Sequence, residues 1–271
     1  MAQKNLLNLV QNELEKGCIL AMSTATPMVE ALEFQEIQGN ALTFNVVDAL
    51  VPTEHRELGQ DVEAVEIEPK KATVSLKILT NSVKTDRALN CMSDVTEIHA
   101  QQQEIAMKSS GKALEKQVFA RLEEDLTGDV SGKEFTGALT LDLVDDAMDY
   151  VSPTRTGNIA LFVNPKTKRA LTKLFKEDGY IATNIEAFGQ LVPCYDNKPI
   201  LVSDDIADNV IYVVRFGLDA VHGITNGGLK VYAENRGVFM VSDTEMLYNI
   251  VCKTKNAFAK VKATSMRALK K

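Results

Sequence analysis

The chain has 271 residues, 45% of them hydrophobic and 25% charged, the composition of an ordinary globular protein. No stretch approaches the ~20 uninterrupted apolar residues of a membrane helix. The short apolar run from Cys18 to Met22 follows Glu13, Glu15 and Lys16 and is no secretory signal. A formal charge of −7, from 30 Lys+Arg against 37 Asp+Glu, argues against a dedicated nucleic-acid binder, whose affinity rests on cations set against phosphates.

In residues 3–16 the positions Leu6, Leu7, Val10 and Leu14 fall on one helical stripe, and Gly17 is expected to end that helix. Residues 33–51 read as extended, with a turn at Gly39-Asn40. Residues 53–68 hold six acids (Glu54, Glu57, Asp61, Glu63, Glu66, Glu68) and little that could anchor a core. A turn is expected at Glu68-Pro69-Lys70-Lys71. After it Ala72, Val74, Leu76 and Ile78 alternate with Thr73, Ser75 and Lys77, the period of a strand. Together these segments predict a long hairpin with one highly charged arm. Because an isolated hairpin is marginal in water, it is expected to lie against another surface, such as a second subunit.

The longest helical signal covers 93–126. Asp94 and Glu97 form a capping-box-like start, and Val95, Ile98, Ile105, Leu114, Val118 and Leu122 recur along the run up to Gly128. Such a helix would be roughly 50 Å long, with Ser109-Ser110-Gly111 as a bend or break. From Phe135 the pattern becomes α/β. Thr140 caps a helix reaching Tyr150, and Ile159–Val163 is a buried strand. Asn164 caps a helix with Pro165 at its first position and Gly179 beyond its end. Strands follow at 200–203 and 210–214. A tight turn at Asn226-Gly227-Gly228 leads into 229–233, and further strands are expected at 238–241, 247–252 and 257–263.

The search for chemistry finds no phosphate loop, dinucleotide fingerprint, zinc-protease helix or nucleophile elbow. Cys18, Cys91, Cys194 and Cys252 are scattered, which fits reduced, buried thiols better than a metal site. His55, His99 and His222 are placed in the charged hairpin, the long helix and a loop. Asp142, Asp145, Asp146 and Asp149 share one helix face, as a cation site or an acid/base pair needs, but a single face cannot surround a metal. Lys166, Lys168, Arg169, Lys173 and Lys176 could grip phosphate, but the pattern reads better as the wet side of a helix whose Leu171, Leu174 and Phe175 point inward. From Met246 onward there are seven cations and no acid. That basic end suggests self-association or contact with a polyanion, or an edge strand guarded by lysines.

The order of these elements resembles one family, the major capsid proteins of tailed bacteriophages with the Hong Kong 97-like fold. LEFQEIQGNALTFNV (32–46) looks like the strand after that family's N-terminal arm, and HRELGQDVEAVEIEPKKATVSLKIL (55–79) like its extended hairpin, the E-loop. SVKTDRALNCMSDV (82–95) and the helix at 93–126 are similar to its spine and the approach to it. GNIALFVNPKTKRALTKLFKEDG (157–179) and GQLVPCYDNKPILVSDDI (189–206) resemble its axial domain. GVFMVSDTEMLYNIVCKTKNAFA (237–259) looks like its late peripheral strands.

The resemblance implies an α+β chain divided into an N-terminal arm (1–34), a peripheral strand (35–51), the E-loop hairpin (52–80), the peripheral domain with its spine helix (81–134), an axial domain (135–236) and closing peripheral strands (237–271). It implies a non-enzymatic shell protein of a virion, assembled in the bacterial cytoplasm through hexamers and pentamers around double-stranded DNA held without sequence preference. Portal and decoration proteins are expected partners. Because the arm begins almost at Met1, any scaffolding protein is expected to be separate. No cofactor, metal ligand or catalytic residue is expected, and no membrane contact. An encapsulin-like compartment enclosing a cargo enzyme is the alternative on the same fold, and a small-molecule enzyme using Asp142–Asp149 is a third reading. The expected subunit contact sets Glu54, Glu57, Asp61, Glu63 and Glu66 of the hairpin against cations of a neighbour. Lys253, Lys255, Lys260 and Lys262 are the candidates, and Lys70, Lys71 and Lys77 lie in the hairpin itself.

Overall fold

A computed structural model describes residues 12–46, 70–92, 98–152, 158–180, 183–187 and 190–265. The Asn12 side chain accepts a hydrogen bond from Leu14 N at 3.2 Å and opens α1 (Glu13–Ala25). This helix runs straight through Gly17 instead of ending there. Burial of Cys18, Ile19 and Met22 against α4 (Ile98–Thr127) outweighs the roughly 1 kcal/mol that a glycine costs inside a helix. The expected stripe at Leu6, Leu7 and Val10 lies outside the described residues, and Leu14 is 45% exposed. A short helix α2 (Pro27–Ala31) follows and buries Met28 and Val29, and another, α3 (Arg87–Met92), precedes α4.

Helix α4 has 30 residues and is therefore about 45 Å long. Its expected cap at Asp94 and Glu97 lies outside the described residues. It is continuous through Ser109-Ser110-Gly111, so the run is not divided there. A Cβ at Gly111 would stand 2.9 Å from the Met22 carbonyl oxygen, so α1 and α4 approach closely here. The buried face is Met107, Leu114, Val118, Phe119 and Leu122, whereas Ile105, expected on it, is 67% exposed.

The strands are β1 (Phe34–Glu36), β2 (Ala41–Val46), β3 (Lys70–Ser75), β4 (Lys77–Asp86), β5 (Lys133–Ala138), β6 (Asn158–Val163), β7 (Thr183–Ala187), β8 (Gln190–Tyr195), β9 (Lys198–Val202), β10 (Val210–Phe216), β11 (Val221–Arg236), β12 (Phe239–Cys252) and β13 (Phe258–Ser265). An eleven-stranded sheet runs β4-β12-β11-β10-β6-β9-β8-β7, with β1 beside β11 and β13 joining β10 to β5. β10 is apolar along nearly its whole length because both of its faces are covered. On one side lie α1, α2 and α4, in a core with Phe162, Tyr212, Val214 and Phe258. On the other lie α5 (Leu141–Val151) and α6 (Pro165–Glu177), in a core with Leu161, Val163, Ile211, Val213 and Val261. The caps of these two helices stand as expected. Thr140 Oγ1 accepts from Leu143 N at 3.3 Å, Asn164 Oδ1 accepts from Thr167 N at 2.8 Å, and Gly179 takes φ +70° past the end of α6.

Four local expectations are corrected. Asn226-Gly227-Gly228 is a bulge within the single strand β11, with φ +76° and +67° at the two glycines, and no chain reversal. The strands expected at 238–241 and 247–252 are one, β12, held continuous by pairing with β11 and β4. Lys70 and Lys71 belong to β3 and not to a turn, because they pair with Val46 and Asn45 of β2. β13 is no guarded edge, since it pairs on both sides.

Candidate assembly surfaces

β2 and β3 form a two-stranded ribbon of their own, in register from Ala41↔Ser75 to Val46↔Lys70. Its root is a small core of Ile37, Val74, Ile224 and Val251, with Leu42, Phe44 and Leu76 half-buried around it. Polar side chains pin the same point. Asn249 Nδ2 donates to Ser75 O at 2.6 Å, Asn226 Nδ2 to Gly39 O at 3.1 Å, and Leu76 N to Asn40 O at 2.8 Å. The hairpin expected between 53–68 and 72–78 is thus rooted one strand earlier, on 41–46. Alternating burial stops at Leu76, and Ile78 is 68% exposed. His55 and the acids Glu54, Glu57, Asp61, Glu63 and Glu66 lie outside the described residues. Lys71 and Lys77 are exposed, and for Lys70 only the backbone is described.

The cations expected to receive those acids differ among themselves. Lys260 is only 13% exposed and bridges Glu123 at 2.6 Å and Glu134 at 3.6 Å. The hydroxyl of Tyr212 also donates to Glu123, and burial, reinforced by that carboxylate, pushes the phenol's pKa upward. Lys253 is half-buried, and desolvation pulls its ammonium down despite the nearby Asp219. Lys255 and Lys262 face solvent.

On α5, Asp142, Asp146 and Asp149 are exposed, while Asp145 accepts the Tyr195 hydroxyl at 3.0 Å. Among the described residues no group of His, Cys, Asp and Glu is arranged to hold a metal ion. On α6, Leu171, Leu174 and Phe175 are buried as expected. Lys166 pairs with Asp208 at 2.6 Å, and that contact holds the carboxyl below its usual range. Arg169, Lys173 and Lys176 are exposed, and Lys168 is half-buried.

The burial of three polar groups was invisible in the sequence because the residues that cover them come from other parts of the chain. His99 in α4 links Thr85 Oγ1 of β4 (2.9 Å) and Ser242 Oγ of β12 (2.7 Å), tying helix to sheet. His222 lies in β11 rather than a loop and is fully buried. Neither ring nitrogen reaches hydrogen-bond geometry, and burial lowers its pKa to about 4. Glu115 of α4 is 6% exposed, and burial raises its pKa to about 7 despite a hydrogen bond from the Ser203 side chain, with Asp205 raising it further. Cys18, Cys194 and Cys252 are free and buried; the Cys91 side chain lies outside the described residues.

No protein-family model and no curated protein matches the sequence. Solved structures do. The encapsulin complex of Synechococcus elongatus is 15% identical, with a TM-score of 0.69 over 92% of this chain and 91% of that one. The capsid of a native GTA particle is 15% identical, with a TM-score of 0.62 over 90% and 91%. The mature capsid of bacteriophage PhiM1 is 12% identical, with a TM-score of 0.60 over 86% and 85%. The chain has the Hong Kong 97-like capsid fold, as the order of its elements led one to expect.

Proposed function

We propose that this chain is the major capsid protein of a tailed bacteriophage, self-assembling through hexamers and pentamers into an icosahedral shell around double-stranded DNA. The observation that carries the reading is the β2–β3 ribbon. It is pinned at its root and pairs with no other described strand, an arrangement suited to lying across a second copy. The similarity to shell proteins over nearly the whole length of both chains supports it.

In this reading the chain's role is structural and not catalytic, its location is the virion, and its assembly takes place in the host cytoplasm. Its partners are further copies of itself, a portal, decoration proteins and non-specifically held DNA, with or without a scaffolding protein. Residues 1–34 serve as arm, 35–51 as a peripheral strand, 52–80 as the hairpin proper, 81–134 as the peripheral domain with its spine, 135–236 as the axial domain, and 237–271 as the closing segment. The acidic hairpin arm meets a neighbour's cations, for which Lys255 and Lys262 are the accessible choices.

A second reading, a protein compartment enclosing a cargo enzyme, is favoured by the TM-score of 0.69 to the encapsulin. Negative-stain microscopy and size exclusion of the purified chain test the shared premise. Closed shells or rings of five and six support it, and a species of one to four copies under every salt condition, with or without a scaffold, refutes it. Nuclease-protected double-stranded DNA within particles from the native host then favours the virus, and a co-purifying enzyme favours the compartment.

A further inference from the structure

α5 carries four acids and no cation, whereas α6 carries five cations and one acid. Both helices lie in the same layer, over one face of the sheet. α5 packs on β5, β13 and β10, toward the end of the sheet that β5 closes. α6 lies toward the opposite end, where Phe175 stacks on Tyr195 of β8 with ring centroids 5.2 Å apart. The hydroxyl of Tyr195 also donates to Asp145, so α5 is tied to the same strand on which Phe175 of α6 stacks. The layer is therefore polarised, acidic at one end and basic at the other. Asp142, Asp146 and Asp149 are exposed at the first end, and Arg169, Lys173 and Lys176 at the second. None of the three cations has an ion-pair partner among the described residues.

We propose that the acidic α5 end of one subunit docks on the basic α6 end of the next copy, and that this head-to-tail contact sets the ring within each capsomer. The partner is a second copy of this chain, identified by charge complementarity. Two copies in the same orientation, side by side, bring opposite charges together, and each leaves a free end of either sign. That is the heterologous pairing from which rings close. Complementary fields of this kind set orientation and association rate more than final affinity, and they weaken as salt screens them. The inference rests on the shell-forming reading above.

The test uses the full-length chain in two charge-reversed forms, D142K/D146K/D149K and R169E/K173E/K176E, examined by native mass spectrometry and negative stain. Each variant alone has two ends of one sign and is expected to remain below ring size, with wild-type circular dichroism. The variant carrying all six changes restores the polarity in reverse and is expected to recover rings. An equimolar mixture of the two triple variants has one further signature. Subunits must alternate in sign around the ring, so six-membered rings form and five-membered rings do not, and closed shells are lost. Triple variants that assemble as wild type, or a mixture that forms pentamers as readily as hexamers, would overturn the contact. Should a reversed variant unfold, the neutral R169Q/K173Q/K176Q form replaces it, and undiminished assembly there also overturns the contact. A wild-type chain that forms no ring at all overturns the shell reading first and the contact with it, whereas wild-type rings indifferent to these charges overturn the contact alone.

Discussion

Gly111 lies directly under the main chain of Met22: a methyl group at position 111 would stand 2.9 Å from the Met22 carbonyl oxygen and 3.0 Å from Thr26 Oγ1. In a solvated helix, replacing glycine by alanine gains about 1 kcal/mol. Here the neighbour is backbone and cannot swing aside. Gly111→Ala is therefore expected to destabilise by about 1–3 kcal/mol, the usual cost of overpacking, and Gly111→Val by more. Urea unfolding of the subunit measures this, and a stabilised Ala variant would refute the close crossing.

His99 is expected to act as a rivet. Replacing it with leucine leaves the hydroxyls of Thr85 and Ser242, both buried, without their ring partner. A loss of about 1–3 kcal/mol is expected. The double variant that also converts Ser242 to alanine should lose less than the sum of the two single changes, and strict additivity in that cycle would show the two residues to be uncoupled.

Glu115 and His222 give opposite pH dependences. For Glu115 the folded pKa, about 7, lies above its ordinary value of 4.5, so the folded chain holds the extra proton and stability falls as pH rises from 4.5 to 7. For His222 the folded value, about 4, lies below 6.5, so the unfolded chain takes up the proton first and stability falls as pH drops from 6.5 to 4. Each amounts to roughly 3 kcal/mol at about 1.4 kcal/mol per pH decade, and between pH 4.5 and 6.5 they offset one another. Asp204, Asp205 and Lys112 face Glu115, and Lys253 and Asp219 face His222. In denaturant titrations across pH, Glu115→Gln should expose the acid limb and His222→Phe the alkaline one; unchanged slopes in both would contradict the assignments.

The lysines of the basic end should separate into two classes. Lys260→Glu puts a third carboxylate beside Glu123 and Glu134 in a nearly buried place, so it is expected to destabilise the subunit itself. Lys255→Glu with Lys262→Glu alters only solvent-facing charge and is expected to leave melting unchanged within about 0.5 kcal/mol while slowing assembly. Reversing Glu54, Glu57, Asp61, Glu63 and Glu66 to lysine should slow or abolish assembly in the same way, and normal shells from either set would remove the hairpin-to-cation contact.

Local signals were legible in the sequence and tertiary ones were not. Asn164, Pro165 and Gly179 bound α6 because capping is decided within a few residues. Gly17 inside α1, the glycine pair inside β11, and Lys70 and Lys71 inside β3 ran against local preference, and each is overruled by a partner far away in the chain. The charged faces of α5 and α6 were readable as patterns. Their placement at opposite ends of one layer required the strand order, which no spacing encodes.

The pinned root of the ribbon gives the hairpin a mechanical connection to the interior. Asn249, which holds Ser75, sits on the same strand as Ser242, which holds His99 of α4. A load applied to the hairpin is thus transmitted through one continuous strand into the helix about 45 Å long that underlies the sheet. In the shell proposed above, each copy would act as a lever as well as a tile, with tension on the ribbon carried by way of β12 into α4.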